Sequence, residues 1–138
     1  MRSDAMLDFD MPYAFLNKDS RWHETAKRIF SRIKSEELDF AFSTIGFVEL
    51  EVVYRSLGLS DSDVVEDSST LLAMDIEIIP LPAEAIITAG QVREEHDLSF
   101  WDSHYAAHAL LENGKLVSSD DSFDRVEGVE RIDPADLT

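Results

Sequence analysis

The sequence predicts an α/β fold in which a five-stranded parallel sheet is covered by helices. Short apolar segments with the pattern of buried strands alternate with longer amphipathic segments along the chain. Helices of this length between strands imply right-handed crossovers and therefore parallel strands. The 138 residues suffice for one domain with its own core, and neither a repeat nor a linker divides them. We therefore expect a single domain over residues 1–138.

The first predicted strand is the apolar segment AMLDF, which ends near Asp8. Asp10 is expected to cap the helix that follows, since aspartate is a favoured N-cap residue. Pro12 suits the first turn of that helix, where a missing N–H leaves no bond unmade. The next segment, RWHETAKRIFSRI, has its apolar residues at helical spacing and predicts an amphipathic helix.

The middle of the chain continues the alternation of strands and helices. LDFAFST is the second predicted strand. The segment TIGFVELEVVYRSLG predicts a helix that ends at Gly58, because glycine readily takes the left-handed conformation at a helix C-terminus. DSDVVEDSSTLLAM predicts another helix, and its leading acidic residues favour the positive end of the helix dipole.

The last part of the chain supplies the remaining strands and two further helices. The three strands are the segments IEIIPL, KLVSS and VERID. The helices between the first two of them are AEAIITAGQVREEH, which begins after Pro82, and SFWDSHYAAHAL, which closes at Asn113 and Gly114. This order completes a β-α pattern of the kind that builds parallel sheets.

Composition limits the function classes. Cysteine is absent, so disulfides and thiolate metal sites are excluded. No apolar run approaches the length of a membrane span, and the N-terminal segment lacks the apolar region of a signal peptide. We therefore expect a soluble cytoplasmic protein that does not bind membranes.

The chain is strongly acidic, with 29 Asp and Glu against 12 Lys and Arg and a net charge of −17. This balance argues against tight nucleic-acid binding driven by charge alone. It is typical of a protein that binds cations or a basic partner, or of a surface adapted to high salt. Most of the acidic residues are expected to solvate the surface, so position and not number must identify functional ones.

Four acidic residues are placed where a parallel α/β sheet binds ligands, beyond the carboxyl ends of its strands. Asp8 ends the first strand and Asp120 follows the fourth. Glu49 and Asp102 lie near the N-termini of helices that point to the same edge, and each interrupts an apolar helical stripe. We predict that the four carboxylates converge on one crevice.

Carboxylates gathered in this way repel each other and cannot all stay ionised without a counter-charge. Mg²⁺ is the natural counter-ion because it takes a few carboxylate ligands and retains water, and Mn²⁺ suits the same ligands. An ion of this kind can activate water and stabilise charge on a phosphate. The pattern therefore predicts a metal site, held by Asp8, Glu49, Asp102 and Asp120.

Structural interpretations of the same residues remain open at this point. Ser99 and Asp102 fit a capping box, in which the carboxylate returns to the Ser99 amide. Glu49 could pair with an arginine such as Arg55 or Arg93. Each acidic residue taken alone could be a surface group, so the metal site rests on the set of four.

Other residues with chemical potential are interpreted as structural. His104 and His108 have the i, i+4 spacing of zinc ligands, but they share a stripe with aromatic residues and lack an evident third ligand. Trp22 and Trp101 are expected in the core or in a dimer contact. Asp121 either supports the metal through water or is a solvated loop residue. The arginines expected to be solvated or ion-paired are Arg21, Arg55, Arg93 and Arg125.

Four segments of the chain resemble, in order, the acid-bearing segments of the PIN domain family and, within it, of the VapC-like toxins. They are MLDFDMPYAFLNKDSRWHETAKRIF, STIGFVELEVVYR, LSFWDSHYAAHAL and KLVSSDDSFDRVEGVERIDP. Asp8, Glu49, Asp102 and Asp120 fall on the family's four acids, and Ser119 falls where threonine or serine commonly stands. The likeness covers nearly the whole chain, and its strength lies in the ordered set.

The resemblance implies a three-layer PIN-like fold and Mg²⁺- or Mn²⁺-dependent cleavage of single-stranded RNA. The four acids would hold metal directly or through water, and Ser119 would orient the site. It also implies a homodimer and inhibition by a small antitoxin, for which the acidic charge favours a basic segment. Asp10 departs from the small neutral residue usual two positions after the first acid, and Pro12 is also unusual.

A haloacid-dehalogenase-like phosphatase is an alternative, since LDFDM resembles its Asp-x-Asp motif, with Asp8 as nucleophile and Asp10 as acid–base group. Against it, Lys115 precedes its strand, and Glu49 and Asp102 have no role. A phospho-receiver domain needs a lysine after its last strand, which VERIDPADLT lacks. A PIN fold that binds a partner or RNA without catalysis is a further alternative, because basic residues are few.

Overall fold

The computed structural model describes residues 3–138 and contains the five-stranded parallel sheet that the sequence predicts. Residues 1 and 2 of the predicted domain lie outside the described residues. The strands are β1 (Ala5–Leu7), β2 (Phe40–Ser43), β3 (Glu77–Ile79), β4 (Lys115–Val117) and β5 (Glu130–Ile132). Their order is β3-β2-β1-β4-β5, and every neighbouring pair is parallel. The predicted α/β class and strand arrangement are confirmed.

Six α-helices connect the strands within the described part of the chain. They are α1 (Asp10–Leu16), α2 (His23–Lys34), α3 (Ile45–Ser56), α4 (Asp61–Leu72), α5 (Ala83–Glu95) and α6 (Phe100–Glu112). Short 3₁₀ helices at Asp121–Arg125 and Pro134–Leu137 flank β5. Every element predicted from the pattern is present, and the strands are shorter than the apolar segments that predict them. Over residues 3–138, the helices are too short or too polar to cross a membrane.

The helix ends follow the sequence signals at most positions. Gly58 has a φ of 75°, two residues beyond the end of α3, which confirms its role at the C-terminus. The prediction that Asp10 caps α1 is wrong. The helix begins at Asp10 itself, Phe9 holds the cap position, and no side-chain cap bond is found among the described residues. The carboxylate of Asp10 is turned instead towards Ser119.

The core is built around the two central strands and α6. β1 and β2 are buried along their whole length, and α6 is buried continuously from Ser103 to Ala109. This helix contacts β1, β4 and α5, and the alanines at 106, 107 and 109 have no exposed surface. Because alanine is small, the helix can lie close to the strands. The N-terminal turn of α6 is thereby held at a fixed place in the fold.

The strand order reverses at β1, which has β2 on one side and β4 on the other. The chain adds β2 and β3 on the first side and then returns to place β4 on the second. In open parallel sheets, such a reversal leaves a crevice beyond the carboxyl ends of the two strands concerned. Asp8 follows β1 and the segment 118–120 follows β4, so both lie at this crevice.

A candidate metal centre at the carboxyl edge of the sheet

Asp8 lies at the centre of the candidate site. Its amide donates to the Val117 carbonyl at 3.0 Å, which continues the pairing of β1 with β4. The side chain is only 5% exposed, and each carboxylate oxygen accepts one hydrogen bond. Oδ1 accepts from the Phe9 amide at 2.7 Å, and Oδ2 accepts from the Ser118 hydroxyl at 2.7 Å. Burial raises the pKa of Asp8 well above its ordinary value, and the charges of Asp10 and Asp102 raise it further.

Asp120 reaches the same place from β4. Its amide donates to the Ser118 hydroxyl oxygen at 3.0 Å, while that hydroxyl donates to Asp8. One fully buried serine therefore ties the first and fourth acids together. The Asp120 side chain is exposed, and its Oδ1 accepts from the Ser122 amide at 2.9 Å. Sequence reasoning assigned the orienting role to Ser119 and missed Ser118, one residue away.

Asp102 stands in the first turn of α6, where the positive end of the helix dipole favours a carboxylate. The Ser99 hydroxyl accepts a hydrogen bond from the Asp102 amide at 3.1 Å, which is one half of a capping box. The returning bond from the Ser99 amide is not among the hydrogen bonds of the described residues. Burial raises the pKa of the Asp102 carboxyl, and the charges of Asp120 and Asp10 raise it further. Asp102 therefore faces the other acids as well as belonging to the helix end.

Glu49 lies on α3 and is held by a tyrosine instead of an arginine. The Tyr105 hydroxyl donates to Glu49 Oε1 at 2.7 Å. Burial raises the pKa of Glu49 to about 7, and the charge of Asp102 contributes to the rise. Arg55 pairs with Glu51 of α3 and with Asp61 at the start of α4, and Arg93 donates to the Ser103 hydroxyl at 2.7 Å. Neither Arg55 nor Arg93 therefore neutralises Glu49 in the structure, contrary to the alternative interpretation.

Asp10 is a fifth acid at the site, which sequence reasoning noted as a helix cap, as a departure from the PIN pattern and as the acid–base group of the phosphatase alternative. Its Oδ2 accepts from both the amide and the hydroxyl of Ser119, at 2.7 and 2.6 Å. Its Oδ1 is buried and has no hydrogen-bond partner within residues 3–138. Burial raises the pKa of Asp10, and the charge of Asp120 adds to this. The sequence signal was the Asp-x-Asp spacing at the end of β1.

Together Asp8, Asp10, Glu49, Asp102 and Asp120 form what we call the acidic cluster. Burial is the largest cause of each raised pKa, and in every case a second member of the cluster contributes. Such coupling requires the carboxyl groups to lie near one another. The structure therefore brings the four predicted acids together and adds Asp10 to them.

The cluster fits a hard divalent cation by its donor chemistry. All its side-chain donors are carboxylate oxygens, which Mg²⁺ and Mn²⁺ prefer. Within residues 3–138, the buried Oδ1 of Asp10 has no hydrogen-bond partner. Across residues 3–138, however, no three His, Asp or Glu side chains are already arranged at metal-ligand spacing. Side-chain rotation would therefore have to accompany metal binding.

Comparison with known proteins identifies the fold family. The family model described as the PIN domain matches residues 6–129, which is most of the chain. The chain belongs to the PIN domain family. A search of curated protein sequences finds no match.

Solved structures with a similar fold include three VapC or VapBC proteins. VapBC2 from Rickettsia felis, bound to a promoter DNA fragment, is 21% identical, with a TM-score of 0.73 over 93% of this chain and 96% of that one. DNA-bound VapBC from Salmonella typhimurium is 21% identical, with a TM-score of 0.72 over 96% and 98%. Mycobacterium tuberculosis VapC20, a sarcin-ricin loop cleaving toxin, is 20% identical, with a TM-score of 0.67 over 87% and 92%. At these identities the likeness concerns the fold.

PIN membership and the structure argue against two of the alternatives drawn from sequence, the receiver domain and the phosphatase. The sheet order differs from the 2-1-3-4-5 order of receiver domains. Lys115, the lysine considered for a phosphatase, begins β4 at the opposite edge, with its Nζ 3.9 Å from Glu130. Lys115 is therefore too far from the acidic cluster to serve as the lysine of a phosphatase site.

The residues interpreted as structural have structural partners in the PIN domain. His104 and His108 are buried, and His104 Nδ1 lies 2.7 Å from the Phe100 carbonyl oxygen. Trp22 packs against the core, with the Arg21 guanidinium 5.3 Å from its ring centre. Asp121 is exposed at the start of a 3₁₀ helix.

Proposed function

We propose that this PIN domain is a metal-dependent endoribonuclease that cleaves single-stranded RNA and acts in the cytoplasm as the toxin of a type II toxin–antitoxin pair. The observation that carries the proposal is the acidic cluster at the strand-order reversal. Five carboxyl groups from four separate chain segments meet there, and burial and neighbouring acidic charges raise the pKa values of Asp8, Asp10, Glu49 and Asp102. Such an arrangement destabilises the fold unless a cation compensates.

Asp8, Glu49, Asp102 and Asp120 are the residues proposed to hold the ion, directly or through water. Mg²⁺ is proposed as the physiological ion because all the donors are oxygens, and Mn²⁺ suits the same set. A bound divalent ion supplies a Lewis acid that lowers the pKa of water and stabilises charge on the phosphodiester. The exposure of Asp120 leaves the cluster open to solvent, which gives a phosphate a route to it.

The remaining side chains of the site act by holding these carboxylates in place. Ser118 fixes Asp8 and the Asp120 backbone with one hydroxyl, and Tyr105 fixes Glu49. Hydrogen bonds of this kind orient metal ligands, and their loss usually weakens metal binding.

Single-stranded RNA is proposed as the substrate from the PIN resemblance and from the surface beside Asp102. Phe100 begins α6 and is 55% exposed, and the Arg93 guanidinium lies 5.7 Å from its ring centre. Aromatic and arginine side chains together suit unpaired bases and phosphates. With a net charge of −17, RNA binding is expected to be weak and sensitive to salt.

The proposal includes an antitoxin partner and a homodimer. One similar structure is a toxin–antitoxin complex from Klebsiella pneumoniae, and the DNA-bound structures from Rickettsia felis and Salmonella typhimurium are VapBC proteins. The charge of this chain favours a basic antitoxin segment. Ile86 and Ile87 on α5, which are 56% and 68% exposed, give a second copy an apolar surface. Light scattering is expected to give twice the mass of the chain.

The nuclease proposal is tested by comparing the wild-type protein with the Asp102→Asn variant in an assay of Mn²⁺-dependent cleavage of single-stranded RNA. Loss of this carboxylate is expected to abolish cleavage without unfolding the protein, because the residue is partly exposed and its amide cap bond remains. Asp39→Asn is the matched control, since it removes the same charge from the exposed residue just before β2, at the opposite edge of the sheet. Full activity of Asp102→Asn would remove this residue from the mechanism.

A PIN fold that binds RNA or a partner without cleaving it is the second candidate. It is favoured by the lack, within residues 3–138, of three acidic or histidine side chains already at metal-ligand spacing. Binding of RNA by the wild-type protein with no cleavage at saturating Mn²⁺ would select this candidate over the nuclease.

A further inference from the structure

Asp10 makes a contact that neither a helix cap nor a solvated surface residue would make. Its Oδ2 accepts two hydrogen bonds from Ser119, a residue 109 positions away in the sequence, at 2.7 Å from the amide and 2.6 Å from the hydroxyl. Both lengths lie within the range of well-formed hydrogen bonds. The carboxylate thus joins the first turn of α1 to the loop that follows β4.

The loop after β4 needs such an anchor because the acid it carries is not held by packing. Asp120 is exposed, and its side chain accepts one hydrogen bond, from the Ser122 amide at 2.9 Å. Its position is therefore set by the backbone on its N-terminal side. Ser118 holds that backbone from the Asp8 side, through the Asp120 amide at 3.0 Å. Ser119, the residue between them, is held by Asp10.

We propose that Asp10 is a positioning residue for Asp120, acting through its two hydrogen bonds to Ser119. The inference rests on the proposed function in one respect, namely that Asp120 is a metal ligand. Two anchors then fix the loop, Asp8 through Ser118 and Asp10 through Ser119. The role differs from ligation by Asp10 itself, because it depends on an acceptor oxygen at this position and not on a negative charge.

Asparagine and alanine at position 10 separate these two roles. Asp10→Asn removes the charge but keeps an oxygen that can accept both bonds from Ser119. Asp10→Ala removes the oxygen as well. Asp39→Asn, at the opposite edge of the sheet, controls for the change in net charge. Ser119→Ala keeps the amide bond and loses the hydroxyl bond, and it replaces Asp10→Ala if that variant does not fold.

The readouts are hydrogen exchange of the Ser119 amide in metal-free protein and calorimetric titration with Mn²⁺. In Asp10→Ala, we expect faster exchange of the Ser119 amide and a Mn²⁺ Kd raised about tenfold, the usual effect of losing a group that orients a ligand. Asp39→Asn is expected to stay within about threefold of wild type in Mn²⁺ Kd, while Asp10→Asn is expected to keep wild-type exchange of the Ser119 amide and to lose less affinity than Asp10→Ala. Ser119→Ala is expected to lie between wild type and Asp10→Ala.

Two results would overturn the inference. Equal losses of Mn²⁺ affinity in Asp10→Asn and Asp10→Ala would show that the charge of Asp10, and not its bonds to Ser119, sets the affinity. Wild-type amide exchange and affinity in Asp10→Ala, or in Ser119→Ala as its replacement, would show that the bonds position nothing. If the wild-type protein binds no Mn²⁺, the proposed metal site fails, while the amide exchange still decides whether Asp10 holds the loop.

Discussion

At the scale of single residues, the buried hydroxyl of Ser118 organises the acidic cluster. It donates to Asp8 at 2.7 Å and accepts from the Asp120 amide at 3.0 Å, and the residue has no exposed surface. The bond to Ser118 also lowers the pKa of Asp8, in opposition to burial. A group that both places two acids and favours the ionised form of one is a direct determinant of metal affinity.

Ser118→Ala is therefore expected to weaken Mn²⁺ binding by about tenfold or more. The free energy of unfolding should fall by about 1–3 kcal/mol, because a buried carboxylate oxygen and an amide lose their partner. Calorimetric titration and denaturant unfolding measure the two effects. Ser69→Ala, at an exposed position of α4, is the control: it should leave Mn²⁺ affinity unchanged and should not lower stability, since alanine favours a helix. A Mn²⁺ affinity equal to wild type in Ser118→Ala would contradict the role given to this hydroxyl.

Sequence reasoning found the site residues that local pattern indicates and missed contacts that depend on the folded chain. Asp8 and Asp120 follow from local pattern, because an acid after a buried strand must lie at the carboxyl edge. Tyr105 and Glu49 are 56 positions apart and meet only in the folded chain. Ser118 was missed because serines stand at two successive positions, and only the turn after β4 decides which of them points at Asp8.

At the scale of elements, a glycine sets how closely α3 lies against β2. A Cβ on Gly46 would come within 1.9 Å of the ring of Phe42, which is fully buried. That ring stacks on Tyr105, with centres 6.4 Å apart, and Tyr105 holds Glu49. The packing of α3 on β2 therefore affects the acidic cluster, because Phe42 contacts Tyr105 and Tyr105 binds Glu49.

Gly46→Ala is expected to destabilise the fold by about 1–3 kcal/mol, because the added methyl group overpacks a buried ring. Gly90→Ala is the matched control, since the nearest atom to its Cβ would be Arg93 Nη2, at 3.8 Å. Within α5, that change should stabilise by about 0.5–1 kcal/mol through helix propensity. Denaturant unfolding measures both. Equal stability of the two alanine variants would contradict the close approach of α3 to β2.

The elements themselves were largely predictable, and their exact ends less so. Alternating apolar strands and amphipathic helices gave the number and direction of the strands, because parallel pairing follows from the crossovers. The position of the Asp10 side chain could not be predicted from the local sequence pattern. Aspartate before an apolar segment indicates a cap, but here the bonds from Ser119 draw the side chain away from the helix end.

At the scale of the whole molecule, the chain combines a net charge of −17 with buried carboxyl groups at one edge of its sheet. Each raised pKa means that the folded state binds protons more tightly than the unfolded chain. For Glu49 the pKa rises from 4.5 to about 7. The contribution of such a group to stability is complete below its unfolded pKa and is lost as the pH rises through its folded pKa.

Without divalent ions, the protein is therefore expected to become less stable as the pH rises from about 4.5 to about 7. Mn²⁺ should oppose this, and the increase in Tm that it causes should grow across the same range, because metal and protons compete for the carboxylates. Thermal unfolding with and without Mn²⁺ measures the effect. A Tm increase independent of pH would mean that the ion binds away from the acidic cluster.

The central claim is that the acidic cluster holds a divalent cation, and anomalous diffraction from crystals soaked in Mn²⁺ tests it most directly. The account predicts a manganese peak between Asp8 and Asp102, with Glu49 and Asp120 bound directly or through water. Carboxylate oxygens should lie about 2.0–2.2 Å from the ion, a distance typical of small hard cations. A peak elsewhere, or none at saturating Mn²⁺, would contradict it.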